Sequence, residues 1–253
     1  MIPGLLLQSP PKNTAWFIRR LQDVSPGNLR ALWLPHSTDV TTNTLKPDGR
    51  VWTADATIQG RITYQGNGLL ITMDAVSNTF TTPDTADLSF TSGAFSGVWL
   101  GNVTDSASAR GLIDKYSGSG AREYYFAVDS SDALALRVCD ATDTNNCTVT
   151  TSTAITQGSP VLLGFTCTET ASATAGDNVT LYQNGAVKAS SAVNGAGYTA
   201  MTGTTSITRV GGSGNIGRVL GQQGFGAIYA AALSDAQHRR IADLCRDYYG
   251  VAL

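Results

Sequence analysis

The sequence predicts an all-β protein: an antiparallel β-sandwich of jelly-roll type, preceded by an extended N-terminal arm and closed by one C-terminal α-helix. Three observations carry this expectation. Of the 19 acidic residues only Glu123 and Glu169 are glutamates, and of the 17 basic residues only Lys12, Lys46, Lys115 and Lys188 are lysines. Two strong helix formers are therefore scarce, while Thr and β-branched residues, which favour strands, abound. Short β-branched or aromatic runs alternate with Gly, Asn, Asp and Ser clusters roughly every 8 to 15 residues, the rhythm of a sandwich or barrel. Only one segment, near the C-terminus, carries a complete set of helix start and stop signals.

Residues 1–30 read as an arm, and residues 31–253 as one sandwich domain with its helix. The arm begins Pro-rich and then carries two apolar clusters, Leu5, Leu6 and Leu7, and Trp16, Phe17 and Ile18, before Pro26 and Gly27 break any helical turn. These residues are too apolar for a free tail. They either fold back on their own sandwich or dock on another subunit, where assembly supplies burial. Strand signals follow at Val51 to Ile58, Leu69 to Met73, Phe95 to Val103, Arg110 to Tyr116 and Glu123 to Asp129. Leu134, Leu136 and Val138 alternate with Ala135 and Arg137, turning one face to a core. Val161 to Thr168 is more continuously apolar and belongs mid-sheet. Asn184-Gly185, between Val179 and Ser190, is the strongest hairpin signal, because both residues accept the positive φ of a type I′ turn. At the end, Ser234 and Gln237 form a capping box, Ile241, Leu244, Cys245 and Tyr248 share a face, and Gly250 stops the helix. A single helix after so many strands is expected to pack across the sandwich edge.

Several function classes fall away. Charged residues are only 14% of the chain and net charge is −2, so the surface is neutral and no basic field exists to hold nucleic acid. No run of 18 apolar residues offers a membrane helix. The apolar patch at the start lacks a basic flank, contains Pro3 and runs into Pro10 and Pro11, so no secretion signal is expected. Glu123 and Glu169 are 46 positions apart with no acidic neighbour, an unpromising pair for glycoside hydrolysis. His36 follows Pro35 in a loop and His238 rides the helix towards solvent; neither joins a nucleophile motif.

Binding chemistry is better represented. Asp74, Asn78, Asp84 and Asp87 gather in a loop-rich stretch that could supply oxygen ligands to a structural calcium; the competing reading is ordinary turn chemistry. No cofactor is required. Trp52, Tyr64, Tyr116 and Tyr198 abut glycine or polar loops and are candidates for contact with a glycan, set against strand packing. Cys139 and Cys147 flank a polar loop and read equally as a cross-hairpin disulfide or as two free thiols.

An ordered series of motifs resembles the laminin G-like, concanavalin A-like sandwich domains. It begins with Ala31-Leu32-Trp33-Leu34 and Gly66-Asn67-Gly68 and continues through Asp114-Lys115-Tyr116 and the strand pair up to Val138. It then runs through Leu181-Tyr182-Gln183-Asn184-Gly185-Ala186-Val187, Val210-Gly211-Gly212, and Gly226-Ala227-Ile228-Tyr229 leading to Ala232-Leu233-Ser234. The resemblance implies a lectin-like sandwich, and such domains serve in adhesion proteins, glycan-binding modules, some glycosidases and phage particles. Together with the arm and the neutral surface, it suggests a non-enzymatic, virion-associated structural protein. On that view it is a phage capsid decoration, head-fibre or tail-associated protein, a homo-oligomer whose partners are other virion proteins and a host-surface glycan. Outside a virion, a cytoplasmic location is expected. A glycan-binding adhesion module is the alternative, and a glycoside hydrolase the third.

Overall fold

A computed structural model describes residues 14–34, 57–59, 63–65, 70–74, 79–104, 107–118, 120–213 and 215–253. In chain order the elements are α1 (Thr14–Val24), β1 (Leu29–Trp33), β2 (Thr57–Gln59), β3 (Thr63–Gln65), β4 (Leu70–Asp74) and β5 (Thr79–Thr82). Next come β6 (Phe95–Val103), β7 (Arg110–Ser117), β8 (Ala121–Val128), β9 (Ala133–Cys139), β10 (Asn146–Ala154), β11 (Val161–Cys167), β12 (Val179–Gln183) and β13 (Ala186–Lys188). The chain ends with β14 (Ser190–Asn194), β15 (Thr208–Val210), β16 (Gly212–Ser213), β17 (Gly217–Arg218), β18 (Leu220–Tyr229) and α2 (Asp235–Tyr249).

Among the described residues two antiparallel sheets form the sandwich. The first runs β13-β12-β11-β6-β18-β4-β3, with β1 also on β18; the second runs β14-β10-β9-β8-β7-β15-β5-β2. Inward-facing residues of both sheets, among them Phe95, Trp99, Tyr124, Phe126, Leu136 and Phe165, make one apolar interior. The Asn184-Gly185 hairpin forms as expected, with φ of 54° and 79°. Val161–Cys167 lies inside the first sheet between β6 and β12.

The helical layer departs from expectation. Helix α2 covers the outer face of the first sheet, where Val98, Leu100, Leu162, Phe225, Ala227 and Tyr229 form a second apolar cluster with Ile241, Cys245 and Tyr248. It does not close the sandwich edge. The reason is strand parity: both faces of β6, β11 and β18 are apolar, so the outer face also needs a cover. Both expected caps form: the capping box at Ser234 and Gln237, and Gly250 in the left-handed conformation with φ 67°.

The described part of the arm is not extended either. Thr14–Val24 is helical, and Phe17 stacks on Tyr248 with centroids 4.2 Å apart and meets Phe225 and Tyr249 edge-on at 5.7 Å each. Leu21 and Val24 are buried beside it, and the Tyr229 hydroxyl donates to the Leu21 carbonyl at 3.1 Å. Strand β1 then pairs with β18 from Leu29↔Tyr229 to Trp33↔Gly226, spanning the expected boundary at residue 30. Phe17 is thus consumed inside its own fold, Ile18 packs at its margin, and Trp16 stays 39% exposed under Arg20. Leu5, Leu6 and Leu7 lie outside the described residues. Among the described residues no helix is long and apolar enough to cross a membrane.

Candidate functional site

The second sheet presents its outer face without a helical cover among the described residues, and that face holds a cleft of about 410 Å³. Its floor follows from residue parity on three neighbouring strands. On β8 the residues Tyr124, Phe126 and Val128 enter the core, so Tyr125 and Ala127 face out. Strand pairing aligns them in two cross-strand rows: Tyr125, Arg137 and Thr148, then Ala127, Ala135 and Thr150. Gly111 of β7 continues the second row beside Ala127. One row is large and polar, the next is small, and the step between them is the trough.

A glycine-rich ribbon builds the wall. Strands β16 and β17 carry Asn215 and Ile216 at their connecting turn, and both residues line the cleft, with Ala109 and Asp129 completing it. The ribbon lies close enough on β7 that a side chain on Gly217, at φ 103°, would meet the Ala109 carbonyl at 2.1 Å. At Gly212, φ 85°, it would meet the Gly217 carbonyl at 2.2 Å. Hydrogen bonds fix the ribbon further: Thr79 donates to the Gly212 carbonyl at 2.7 Å and Arg110 to the Arg218 carbonyl at 3.1 Å.

The polar side is organised by one carboxylate. Asp143, in the left-handed conformation at φ 58°, accepts from the Tyr116 hydroxyl at 2.6 Å and from Arg137 at 3.0 Å, with Arg122 at 3.7 Å. Arg137 also lies over the Tyr125 ring at 5.4 Å and donates to Thr148 Oγ1 at 3.0 Å. Tyr116 meets Tyr125 edge-on at 5.3 Å and carries Arg122 over its own face at 4.8 Å. Burial first, and then the bond to Asp143, push the Tyr116 phenol well above its ordinary pKa, so it remains a donor at neutral pH. Burial also raises Tyr125. The result is a rigid wall of two tyrosines and a guanidinium beside a small-residue trough. That combination can stack one face of a ligand ring and hydrogen-bond its edge.

Of the four aromatic candidates, only Tyr116 is placed here. Tyr198 lies in the sandwich core and donates to the Thr170 carbonyl at 2.8 Å, so it faces no ligand. Tyr64 is on β3 of the opposite sheet, and Trp52 lies outside the described residues. Tyr125, Arg137, Thr150 and Ile216 were missed. The consecutive pair Tyr124-Tyr125 held the signal, because in a strand two adjacent aromatics cannot both enter one core.

Of the acidic candidates, Asp84 and Asp87 have described side chains. Asp84 Oδ1 is 2.8 Å from Lys115 Nζ, so an ammonium already sits against it. Asp87 is exposed in a short 3-10 turn, Asp74 ends β4, and Asn78 lies outside the described residues. Among the described residues, no three His, Cys, Asp or Glu side chains gather as a metal site. Asp140, in the loop between β9 and β10, spends both oxygens on Thr142 and Asn145.

Cys139 and Cys147 are both free and buried. Cys147 pairs with Val138 and shares its inward side, whereas Cys139 pairs with Asn146 one position away. A one-residue offset puts the two thiols on opposite faces of the sheet, which excludes the bond. Each glutamate is engaged locally. Glu169 accepts from the Gly93 and Ala171 amides at 3.1 and 2.8 Å, and Glu123 lies buried against Lys115 at 2.7 Å. His238, expected in solvent, is 1% exposed, stacked on Tyr182 at 3.7 Å and bonded to Thr166 Oγ1 at 3.0 Å. Burial, only partly opposed by Asp235, lowers its pKa to about 3.

No family model and no curated protein matches the sequence. Solved structures do resemble the fold. The binding domain of Paraclostridial Mosquitocidal Protein 1 superposes with a TM-score of 0.61 at 14% identity, over 88% of this chain and 52% of that one. The botulinum neurotoxin type C structure described as depending on two ganglioside molecules for cell entry gives 0.61 at 10% identity, over 89% and 52%. This chain thus spans about half the length of those two. Domain 4 of AbnA, a GH43 extracellular arabinanase from Geobacillus stearothermophilus, solved with arabinotriose, gives 0.54 at 17% identity, over 85% of this chain and 98% of that one. At these identities the likeness is one of fold, and the fold is an antiparallel β-sandwich.

Proposed function

We propose that this chain is a glycan-binding adhesion module that holds a saccharide in the outer-face cleft of the second sheet and does no chemistry on it. The observation that carries the reading is the pairing of a small-residue trough with the rigid Tyr125–Arg137–Thr148 row. A sugar ring has an apolar C–H face for an aromatic and hydroxyls for the threonines, Arg137 and Asn215. The cleft volume falls within the roughly 300–1,000 Å³ of small-ligand sites. Support also comes from the structural neighbours, one solved with arabinotriose and another described through gangliosides. The virion reading rests on the sequence resemblance, the neutral surface and the arm, none of which bears on the cleft, so the glycan reading takes the lead over it.

The test is a glycan array, run with and without calcium, followed by titration of the hits and of arabinotriose. Saccharide binding is expected, and Tyr125→Ala together with Thr150→Val should reduce it by tenfold or more while leaving the melting curve close to that of the parent. A blank array, or a hit indifferent to both substitutions, removes the cleft as a glycan site.

A further inference from the structure

A second group of reactive side chains lies inside the sandwich, away from the cleft. Lys115 on β7 faces inward opposite Tyr124, and a bulge in the β7–β8 pairing leaves Glu123 as the extra residue beside it. Both side chains are fully buried. Lys115 Nζ is 2.7 Å from Glu123 Oε1 and 2.8 Å from Asp84 Oδ1, and it also contacts the Ser89 hydroxyl. Glu123 Oε1 further accepts the Thr204 amide at 2.7 Å and its hydroxyl at 3.0 Å, whereas Oε2 is buried with no hydrogen-bond partner. Tyr124 stands in an aromatic group with Phe90 and Phe95, ring centroids 4.6 to 6.2 Å apart, which makes the surroundings apolar. Of the three charged groups only Asp84 reaches the surface, with its side chain 33% exposed.

An amine, an acyl donor (the Asp84 carboxyl) and a second carboxylate thus meet at one point, the amine and the second carboxylate shut away from water. In water such groups are solvated and drift apart; here the fold holds the amine nitrogen at hydrogen-bond distance from both carboxylates, so proton exchange and attack need no further approach of Lys115 to Glu123. We propose that Lys115 and Asp84 become joined by an intramolecular amide (isopeptide) bond that the folded chain forms by itself, with Glu123 as the catalytic proton carrier.

The step balances without any co-reactant. The Lys115 ammonium gives one proton, through Glu123, to the Asp84 carboxylate. The neutral Nζ then attacks Asp84 Cγ, and the C–N bond forms. A second proton leaves the nitrogen, again through Glu123, for the departing hydroxyl; the C–O bond breaks and one water is released by way of the exposed side of Asp84. The third hydrogen stays on the amide nitrogen, and Glu123 ends as the carboxylate it began as. Glu123 Oε1 touches the amine, and the unpartnered Oε2 is the oxygen available to pass the proton on.

The link is independent of what the cleft binds, and a mass measurement tests it. The intact folded chain, denatured just before mass spectrometry, should be lighter than its sequence by one water, and tandem spectra should show the Lys115 peptide linked to the Asp84 peptide. A full-mass chain after prolonged incubation in the folded state overturns the proposal. So does a dehydration placed elsewhere, such as Lys115 on Glu123 or a succinimide within the Asp84 peptide. Glu123→Gln that folds by circular dichroism should keep the full mass although both reacting groups remain; a link formed at the parent rate would remove Glu123 from the mechanism. Where that variant fails to fold, Asp84→Ala replaces only the partly exposed partner. It should keep the full mass and melt roughly 5–10 °C below the linked parent, because a crosslink between residues 84 and 115 closes a long loop. An unchanged melting temperature would overturn the link.

Discussion

The outer faces of the two sheets are built from the same alternation and end in opposite states. On the first sheet Val98, Leu100, Leu162, Phe225 and Tyr229 lie beneath α1 and α2. On the second, the corresponding outward positions hold Tyr125, Arg137, Thr148, Ala135 and Thr150. Residue type on one strand face thus decides whether the sheet needs a third layer or can hold a ligand. The covered face adds a second apolar cluster to the inter-sheet core, and the open one leaves its cleft accessible.

The sharpest way to break this comparison is to damage the covered face. Phe17→Ala deletes a ring that stacks on Tyr248 and meets Phe225 and Tyr249, and should cost about 3–5 kcal/mol. At roughly 2–4 °C per kcal/mol for a chain of this size, melting should fall by about 6–20 °C. The substituted chain, below its melting range, should still bind saccharide. A shift under about 1 kcal/mol in denaturant titration would show that α1 is an accessory and not part of the fold.

Acid should act on the same face. His238 is neutral in the native state until about pH 3, whereas in the unfolded chain it takes a proton near its ordinary value of 6.5. Its effect on stability is therefore absent above pH 6.5, and stability is lost as the pH falls from there towards 3. The slope is at most about 1.4 kcal/mol per pH unit. Denaturation at stepped pH should show this loss, and His238→Gln should flatten it over that interval. An equal slope in the variant would assign the acid sensitivity to other groups.

Changes to the open face should be milder for folding and harsher for binding. Gly217→Ala forces a side chain towards the Ala109 carbonyl and should lift the cleft wall, costing about 1–3 kcal/mol and most of the saccharide affinity. Tyr125→Ala should cost the least, about 1 kcal/mol or below, because the ring is only half-buried, yet it should account for most of the binding loss expected of the double substitution. Calorimetry and titration on the same samples separate the two quantities.

Legibility in the sequence follows the range of the interactions concerned. The Asn184-Gly185 turn, the Ser234–Gln237 capping box and the Gly250 stop are set by neighbours within a few residues, and all three form as expected. The placement of α2 was not legible as a position, because edge and face docking use the same helix stripe. Only the two-sided apolarity of β6, β11 and β18 separates them. Register was the main blind spot. A single-residue offset puts Cys139 and Cys147 on opposite faces, and a single bulge turns Glu123 inward, neither of which leaves a compositional trace. The cleft was hidden for a third reason. Its wall, residues 212–213 and 215–218, reads as an ordinary Gly and Ser turn until it is laid against Gly111, a hundred positions earlier.

The double covering of the first sheet also gives the molecule a back and a front. The described chain enters through α1 and leaves just beyond α2, where Val251 and Leu253 pack against the helical cluster. Both of these described segments lie on the covered side, with the first sheet and the core between them and the cleft. An approach along the open face of the second sheet therefore meets the trough without passing α1 or α2.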